Sequence, residues 1–353
     1  MSWRNNTHPG AVAVLGAGSW GTTFAKIVAD AGAARGKDAH GTSVRIWARR
    51  PEIAEEISGQ HRNSQYLKDT VLPAGLTASA DPAEVLAGAE LVVLAVPAQT
   101  LRAQLRSIRH LIPEGAVVVS LMKGLEVGTD SRMSQVIEEE LHWPQDRVAV
   151  ISGPNLAMEI ANRQPTASVV ACSDLETAAW IARACTAPYF RPYTNTDVVG
   201  TEIGGIVKNV IALAVGICEG KGMGDNTKAS VMTRGLAETT RLALALGGNA
   251  ETMAGLAGMG DLIATCSSPL SRNHTAGRLL AQGLTLEEVN ASMKQTAEGI
   301  KSAQAVLDRA TQLGVNMPIT ENVVAVLQGE ITVDELGPRL LSRELKSEGV
   351  QVP

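Results

Sequence analysis

A glycine-rich turn near the N-terminus constrains the fold of this chain more than any other feature. The segment Gly16–Gly21 has the pattern G-x-G-x-x-G, follows the apolar β-branched run Val12–Leu15 and precedes the amphipathic stretch Thr22–Ala31. A glycine turn between a strand and a helix is where parallel α/β sheets bind the pyrophosphate of a dinucleotide, because the helix N-terminus offers unpaired N–H groups to the anion. The context of the pattern therefore predicts a dinucleotide-binding domain.

The three glycines of the turn have different predicted tasks. Gly16 permits the tight turn, Gly18 lets the backbone approach a pyrophosphate, and Gly21 lets the helix pack closely against the strand. All three are therefore predicted to be cofactor-binding residues.

From Ala11 to about Tyr193, short β-branched runs alternate with longer amphipathic stretches, which is typical of βαβ units and a mostly parallel sheet. The predicted strands are Val12–Leu15, Val44–Trp47, Leu91–Val96, Val117–Leu121, Val148–Ser152 and Ser168–Ala171. Predicted helices include Thr22–Ala31, closed by Gly32, and Arg102–Leu111, stopped by Pro113. This half is predicted to be an α/β domain with a Rossmann-type doubly wound sheet.

Beyond Pro192 the character of the sequence changes, because strand-like runs give way to long helical patterns with glycine-rich joints. The first of these helices, Glu202–Cys218, is apolar on nearly every face, which predicts that it is buried at the centre of a domain. We predict a Rossmann domain over residues 1–196, an all-α substrate-binding domain over 197–345 and a polar tail over 346–353.

Length and composition agree with this division and exclude several classes of protein. A chain of 353 residues exceeds the usual size of a single hydrophobic core. The formal net charge of -5 offers no excess of positive charge for a nucleic acid. The longest apolar run, Val210–Cys218, is roughly half of a membrane span, and the first ten residues lack the apolar core of a secretory signal. We therefore expect no nucleic-acid partner, no membrane span and a cytoplasmic location.

The four cysteines, Cys172, Cys185, Cys218 and Cys266, form no C-x-x-C pair and have no histidine at metal-ligand spacing. We interpret them as buried free thiols and expect no metal.

The residues after the second predicted strand bear on the choice of cofactor. An acidic residue there accepts a hydrogen bond from the ribose 2′-hydroxyl of NAD, whereas an arginine pairs with the 2′-phosphate of NADP. In this chain Arg49 and Arg50 follow the strand. The pair predicts that NADPH is accepted at least as well as NADH, the alternative being two solvated cations. The polar segment 34–43, which lengthens the spacing to this strand, is predicted to be a surface loop.

Two further segments place polar groups at the carboxyl ends of predicted strands, where doubly wound sheets bind ligands. Lys123 follows the fourth predicted strand, and Gly153 and Asn155 follow the fifth. A solvated loop lysine and an ordinary turn asparagine are the alternatives.

Lys208 is unusual because it lies on the predicted helix that is otherwise apolar all round. A lysine seldom enters such a helix unpaired. Desolvation lowers the pKa of a lysine toward neutrality, which suits a group that gives and takes a proton. The alternative is a lysine at the helix edge whose ammonium reaches solvent.

An anion site is predicted at Ser271, Arg272 and Asn273, which open a helical pattern that runs through Leu280. A guanidinium and an amide at a helix N-terminus match the oxygens of a phosphate, and a plain serine cap is the alternative. Asp261 is compatible with a helix N-cap and with a ligand contact.

Together these segments resemble one family, the bacterial-type NAD(P)-dependent glycerol-3-phosphate dehydrogenases. The matching stretches between residue 12 and about residue 303 are VAVLGAGSWGTTFA, LMKGLE, SGPNLAMEIA, TEIGGIVKNVIALAVGICEG, GLAGMGDLIATCSSPLSRNHTAG and TAEGIKSA. The resemblance implies a cytoplasmic enzyme that reversibly reduces dihydroxyacetone phosphate to sn-glycerol 3-phosphate with NAD(P)H, without a metal. It also implies that the product supplies phospholipid synthesis.

The resemblance further implies roles for individual residues. Lys208 would be the proton donor and acceptor at the substrate oxygen, with Lys123 beside it. The substrate would be lined by Gly153, Asn155, Asp261, Ser271, Arg272 and Asn273. The cofactor would touch Ser19, Trp20, Arg49, Arg50, Lys123, Ala157, Arg272 and Glu298. The chain departs from the family at Asn155, where a small hydroxyl residue is common.

Two other functions are compatible with parts of the sequence. A dehydrogenase of a 3-hydroxy acid or a phosphosugar would also join a Rossmann half to a helical half, but a simple hydroxy acid would not need residues 271–273. A non-catalytic NADPH sensor would need the glycine turn and not Lys208. The sequence leaves the oligomeric state open, a homodimer included.

Overall fold

The computed structural model describes residues 8–35, 42–293 and 297–342. Contacts divide the chain into two compact units: unit 1 is Met1–Met122 with Met133–Val198, and unit 2 is Lys123–Arg132 with Val199–Pro353. The predicted tail 346–353, most of the N-terminal tail and positions 36–41 of the predicted surface loop lie outside the described residues.

A single sheet of eight strands forms the centre of the described part of unit 1. The strands are β1 (Ala11–Leu15), β2 (Ser43–Trp47), β3 (Leu76–Ser79), β4 (Leu91–Leu94), β5 (Val117–Ser120), β6 (Val148–Ser152), β7 (Thr166–Cys172) and β8 (Phe190–Asn195). The helices are α1 (Ser19–Ala34), α2 (Pro51–Gln60), α3 (Ser64–Leu67), α4 (Pro82–Leu86), α5 (Leu101–Ile108), α6 (Met133–Leu141), α7 (Ala157–Ala161) and α8 (Leu175–Cys185).

The strands lie in the order β3-β2-β1-β4-β5-β6-β7-β8. β1 pairs in parallel with β2 on one side and with β4 on the other, so the chain crosses the sheet in both directions from its first strand. The other pairs are also parallel, apart from the antiparallel pair β6 and β7. The predicted doubly wound, mostly parallel sheet is confirmed.

Side chains on both faces of the sheet are buried. Val14 of β1 belongs to the same apolar cluster as Phe24 of α1 and Trp180 of α8. The next residue, Leu15, belongs to a second cluster with Leu101 of α5. Because successive strand residues point to opposite faces, helices cover the sheet on both sides.

Two strands, β3 and β8, are not among those predicted from the sequence. Leu76 is the one fully buried residue of β3, so this strand shows no apolar run. β8 is polar and contains Pro192, which a strand tolerates at the edge of a sheet because an edge residue needs no second hydrogen-bonded neighbour. Both strands lie at the ends of the sheet, where burial leaves the weakest pattern in the sequence.

The prediction that Gly32 closes the first helix was wrong. α1 continues through Ala34, and Arg35 caps it in a right-handed conformation. Gly32 is buried within the helix and has no positive φ. A glycine in a helix interior costs about 1 kcal/mol relative to alanine, which the packing of a buried helix offsets.

The long secondary-structure elements in the described part of unit 2 are all helices, as predicted. These are α9 (Val198–Gly220), α10 (Asp225–Ala245), α11 (Ala250–Ala254), α12 (Asp261–Ser267), α13 (Arg272–Ala281), α14 (Leu286–Ser292), α15 (Glu298–Gln312), α16 (Pro318–Gln328) and α17 (Val333–Leu341). A single π-helical turn, Leu256–Gly260, leads directly into α12.

The helix α9 forms the centre of unit 2. Every residue from Gly200 to Cys218 is buried, which confirms the predicted core helix. By length and composition alone α9 could cross a membrane, but 89% of its most apolar 18-residue window is buried inside the protein. Its apolar character is therefore accounted for by the core of unit 2.

Glycines bring the backbones of α9 and α13 into direct contact. A Cβ on Gly216 would lie 2.1 Å from the carbonyl oxygen of His274, and a Cβ on Gly277 would lie 2.1 Å from that of Leu213. Each helix therefore contributes one glycine to the closest approach, and neither position admits a side chain.

The four cysteines are free and buried, as predicted. Burial raises the pKa of Cys185 and of Cys266 to about 12, so both remain protonated thiols at neutral pH.

Candidate active site

The glycine turn connects β1 to α1 as the sequence predicts. Gly16 has φ +122°, and a Cβ there would lie 2.4 Å from the carbonyl oxygen of Ala95. A Cβ on Gly21 would lie 2.1 Å from the carbonyl oxygen of Gly16. Nothing lies within 4 Å of a Cβ on Gly18. Two glycines are thus required by the turn itself, and the third leaves an open approach to the backbone.

The N-terminus of α1 at this turn has no side-chain cap. The first N–H groups of a helix have no intrahelical partner and offer a site to an anion. Beside them, the indole Nε1 of Trp20 is buried and hydrogen-bonds to nothing among the described residues. These donors fit the phosphates of a dinucleotide.

Arg49 and Arg50 lie where the second strand ends beside the turn. The backbone N–H of Gly16 donates to the carbonyl oxygen of Trp47, the last residue of β2, at 3.2 Å. Arg49 is exposed, and Arg50 donates to Gln65 Oε1 at 2.5 Å. Arg49 is therefore accessible at the side of the turn where a ribose phosphate is expected, whereas the guanidinium of Arg50 is held by Gln65.

Gly153 and Asn155 follow β6 and precede α7. Both polar atoms of the Asn155 amide are buried without a hydrogen-bond partner in the described part of the chain. The Thr23 hydroxyl of α1 donates to the carbonyl oxygen of Ala157 at 3.3 Å, which fixes the start of α7 beside α1. A buried amide with no partner costs about 1–3 kcal/mol, so a bound ligand is its natural partner.

Two lysines share one buried carboxylate in unit 2. Lys208 Nζ donates to Asp261 Oδ1 at 2.5 Å, and Lys123 Nζ donates to Asp261 Oδ2 at 2.5 Å. Lys208 Nζ also donates to Thr265 Oγ1 at 2.6 Å. Lys208 is 8% exposed and Asp261 is 1% exposed. The alternative of a lysine that reaches solvent at the helix edge is wrong.

The surroundings of Lys208 lower the pKa of its ammonium toward neutral pH. Burial is the main cause that lowers the pKa of Lys208 to about 8, and the charge of Lys123 acts in the same direction. Asp261 opposes both, because its carboxylate stabilises the ammonium. Lys208 is therefore charged at neutral pH and able to give up its proton without a large free-energy cost.

Asp261 is the first residue of α12 and does not cap the helix. The residue before the helix is Gly260, and the carboxylate of Asp261 binds the two lysines instead of backbone N–H groups. The N-cap alternative is therefore wrong. The π-helical turn that precedes Asp261 is a type of distortion often found at functional sites.

The predicted anion site forms the start of α13. The Ser271 hydroxyl accepts from the backbone N–H of His274 at 3.3 Å, which confirms the serine cap. Arg272 is exposed. Asn273 Nδ2 donates to Asn209 Oδ1 at 2.9 Å, and Asn273 Oδ1 accepts from Gly299 N at 2.9 Å. These two bonds fix the orientation of the Asn273 amide.

Glu298 lies one residue before Gly299, at the start of α15. Burial raises the pKa of its carboxyl, and the positive charges of Arg272, Lys123 and Lys208 oppose that rise. The carboxyl of Glu298 is therefore influenced by the charges of three predicted site residues, Arg272, Lys123 and Lys208.

Thr265 and Asn209 contact predicted site residues but are not themselves predicted from the sequence. Thr265 lies one helical turn after Asp261, so the spacing of four residues on the predicted helix could have indicated it. Asn209 is a buried polar neighbour of Lys208 on an apolar helix, a signal of the same kind as the lysine itself.

Comparisons with known proteins identify the family of the chain. The model of the NAD-dependent glycerol-3-phosphate dehydrogenase N-terminus matches residues 11–178, and the model of the C-terminus matches residues 197–337. The chain is 57% identical over 337 residues to a glycerol-3-phosphate dehydrogenase [NAD(P)+] of Thermobifida fusca, covering 96% of this chain and 98% of the relative. Its counterpart from Corynebacterium jeikeium is 56% identical over 338 residues, covering 96% and 99%.

A solved structure shows the same fold. The crystal structure of glycerol-3-phosphate dehydrogenase from Coxiella burnetii superposes with a TM-score of 0.87 at 32% identity, covering 96% of this chain and 100% of that one. Family models over both units, relatives above half identity and the shared fold agree. The chain belongs to the NAD-dependent glycerol-3-phosphate dehydrogenase family.

Proposed function

We propose that this chain is an enzyme that reduces dihydroxyacetone phosphate to sn-glycerol 3-phosphate with NADPH or NADH, and that it catalyses the reverse reaction. The observation that carries the proposal is the buried carboxylate of Asp261, which holds the ammonium groups of Lys208 and Lys123 at 2.5 Å each. A ketone reduction needs a cation and a proton where the carbonyl oxygen becomes negative.

Residues of the glycine turn and of the segment after β6 fit a dinucleotide. The open approach at Gly18, the unpartnered Trp20 indole and the unpartnered Asn155 amide support this assignment. When bound, the nicotinamide supplies the hydride. Gly16, Gly21, Ser19 and Ala157 complete the proposed contacts in unit 1, and Arg49 and Arg50 would accept a 2′-phosphate. Lys123, Arg272 and Glu298 are the other proposed cofactor contacts.

Lys208 is the proposed proton donor during reduction. Its ammonium stabilises the developing oxyanion and then protonates it, since its pKa of about 8 keeps the group charged at neutral pH and still acidic. In the reverse direction the neutral amine accepts the hydroxyl proton. Asp261 keeps Lys208 charged and directs it, and Lys123 supplies a second positive charge to the same oxygen.

Arg272 is the proposed reader of the substrate phosphate. Its guanidinium is exposed at the start of α13, where the helix N-terminus also favours an anion. The Asn273 amide is fixed by Asn209 and by Gly299 N, so its remaining N–H points in a defined direction. Ser271, Gly153 and Asn155 are the other proposed substrate contacts. A non-phosphorylated hydroxy acid would leave the arginine unused.

The proposal extends to the setting of the reaction. The product would be the backbone phosphate of glycerophospholipids, so we propose a role in phospholipid synthesis, and we propose a cytoplasmic location for the enzyme. A homodimer is the proposed assembly, to be checked by sedimentation.

The direct test is oxidation of NADPH or NADH by the purified protein, followed by the loss of the absorbance of the reduced nicotinamide. We expect oxidation that depends on dihydroxyacetone phosphate and yields glycerol 3-phosphate. Cofactor binding without turnover would favour a sensor instead. Turnover of a hydroxy acid or phosphosugar alone would move the chain to another substrate class.

A further inference from the structure

Residues 123–132 belong to a different unit from the chain on either side of them. The segment lies between β5 and α6, which are both part of unit 1, but its contacts place it in unit 2. Lys123 is its first residue and Arg132 its last. The site described above uses only Lys123.

The segment folds back on itself. Leu125 and Arg132 pair in an antiparallel bridge, and the N–H of Glu126 donates to the carbonyl oxygen of Ser131 at 2.9 Å. The N–H of Asp130 donates to the carbonyl oxygen of Glu126 at 2.9 Å. The two ends are therefore tied together, and a movement of Arg132 is passed to the residues just after Lys123.

Several contacts hold this closed segment against the helices of unit 2, including the bond from Gln312 Nε2 of α15 to Asp130 Oδ2 at 3.1 Å, and two of them are buried. Leu125 is fully buried in the apolar core of the unit. Arg132 Nη1 donates to Glu202 Oε2, and the side chains are 14% and 2% exposed. Glu202 lies on α9, the helix that carries Lys208. A hydrogen-bonded ion pair this deep is geometrically specific, because a buried charge cannot lose its partner without a large cost.

We infer that Arg132 and Glu202 are positioning residues that hold the 123–132 segment on α9 and thereby keep the ammonium of Lys123 on Asp261. A lysine side chain has four rotatable bonds, so its ammonium stays in one place only if its backbone does. The pair fixes that backbone to the same helix that fixes Lys208. The positions of both ammonium groups, those of Lys123 and Lys208, are then set by the single helix α9. The catalytic consequence rests on the function proposed above, whereas the positional one does not.

The first test measures the position of Lys123 directly and needs no activity. The native protein is treated briefly with acetic anhydride, and acetylation of Lys123 is followed by mass spectrometry in wild type and in Arg132→Met. We expect the rate at Lys123 to rise about tenfold, the equivalent of losing one charge-assisted hydrogen bond. Lys228, which is bonded to Asp225 on α10, provides the internal reference whose rate stays unchanged.

A matched control separates positioning from general loosening. Arg102 pairs with Glu140 between α5 and α6 of unit 1, with side chains 20% and 8% exposed, and Arg106 binds the same carboxylate. Arg102→Met should lower the melting temperature and leave acetylation of Lys123 at the wild-type rate. Arg132→Lys, which keeps the charge, should give an intermediate rate. Equal acetylation in wild type and Arg132→Met, or an equal rise in Arg102→Met, would overturn the inference.

The second test asks whether the pair acts through Lys123. Arg132→Met should reduce kcat for dihydroxyacetone phosphate by roughly 10- to 100-fold, the scale of a misplacement of about 1 Å, with the KM for NADPH unchanged. In a Lys123→Met background the same change should have no further effect on kcat. The same fold-loss in both backgrounds would contradict the inference. A wild-type protein inactive on this substrate would refute the proposed function and leave the acetylation result to decide the position of Lys123.

Discussion

Replacing Lys208 by methionine gives the sharpest test of the proposed chemistry, because the change keeps length and apolar volume and removes only the charged group. The pKa of Lys208 is lowered to about 8 from an ordinary value near 10.5. At about 1.4 kcal/mol for each pH unit, the folded state therefore disfavours the ammonium by about 3 kcal/mol at neutral pH. This penalty disappears in the variant.

The structure also fixes what the variant loses. The hydrogen bonds from Lys208 to Asp261 and Thr265 are removed, but Asp261 keeps its bond to Lys123 and is not left as an unpaired buried charge. The lowered pKa already includes the attraction of Asp261, so removing the ammonium relieves a net penalty. We therefore expect Lys208→Met to melt at the wild-type temperature or a few degrees above it, and to bind NADPH normally.

Turnover should respond very differently from stability. Loss of a general acid costs about 10²–10⁴ in rate, so kcat should fall by at least that factor while the fold is intact. The wild-type kcat for reduction should fall as pH rises through about 8, because the ammonium then loses its proton, and the residual activity of the variant should lack this decline. Stopped-flow measurement of kcat across pH, with calorimetry on the same samples, checks both statements.

The matched control is Lys221→Met, at the position that follows the end of α9, where the partner Asp334 is exposed. It should leave kcat unaltered. A Lys208→Met variant with near-normal turnover would refute the reasoning and assign the acid to Lys123. A variant that melts far below wild type would show that the ammonium stabilises the fold.

Three further expectations follow from other parts of the chain. Changing Arg49 and Arg50 together to alanine should raise the KM for NADPH and leave that for NADH nearly unaltered in steady-state assays; an equal loss with both cofactors would contradict a 2′-phosphate contact. Arg272→Ala should weaken the binding of dihydroxyacetone phosphate by about tenfold or more, and that of dihydroxyacetone far less, as judged by the KM of each substrate. Equal effects on the two substrates would assign the arginine to the cofactor or the fold. Burial raises the pKa of Glu238 to about 7, so the folded protein holds a proton that the unfolded chain releases above its ordinary pKa of 4.5, and this group lowers stability as pH rises from 4.5 to 7. Glu238→Gln keeps only one of the two oxygens that accept from the N–H groups of Ile319 and Thr320, so it should cost stability near pH 4.5, but its stability relative to wild type should rise between pH 4.5 and 7 in denaturant titrations, and a constant difference would refute the assignment.

The features that the sequence predicted well are those with a strong local cause. The glycine turn, the buried central strands and α9 each combine an apolar pattern with a clear boundary, so the fold class followed from the residues. The prediction that Gly32 ends α1 was wrong because a glycine near the end of a helix cannot be told from a C-terminal cap by sequence alone. Only the packing of α1 shows that the helix continues to Ala34.

The arrangement of the site was less accessible from sequence. Lys208 could be singled out because a lysine contradicts its apolar surroundings, but nothing local indicated that Asp261, more than fifty positions away, would be its partner. The assignment of residues 123–132 to unit 2 also depends on Leu125 and on the pair Arg132–Glu202, which are long-range contacts. Such contacts leave no periodicity in a single sequence.

The glycine contact between α9 and α13 limits the length of the substrate that the helical unit can bind. Lys208 projects from one helix, and Arg272 begins the other, so the span from the proposed proton donor to the proposed phosphate contact is set by two backbones that touch at Gly216 and Gly277. Side-chain substitutions around the site can alter polarity and charge but cannot shorten that span, because the helices are already in contact. Acceptance of a phosphorylated ketone with a different number of carbons between its carbonyl and its phosphate would therefore require a change in the length or course of a helix.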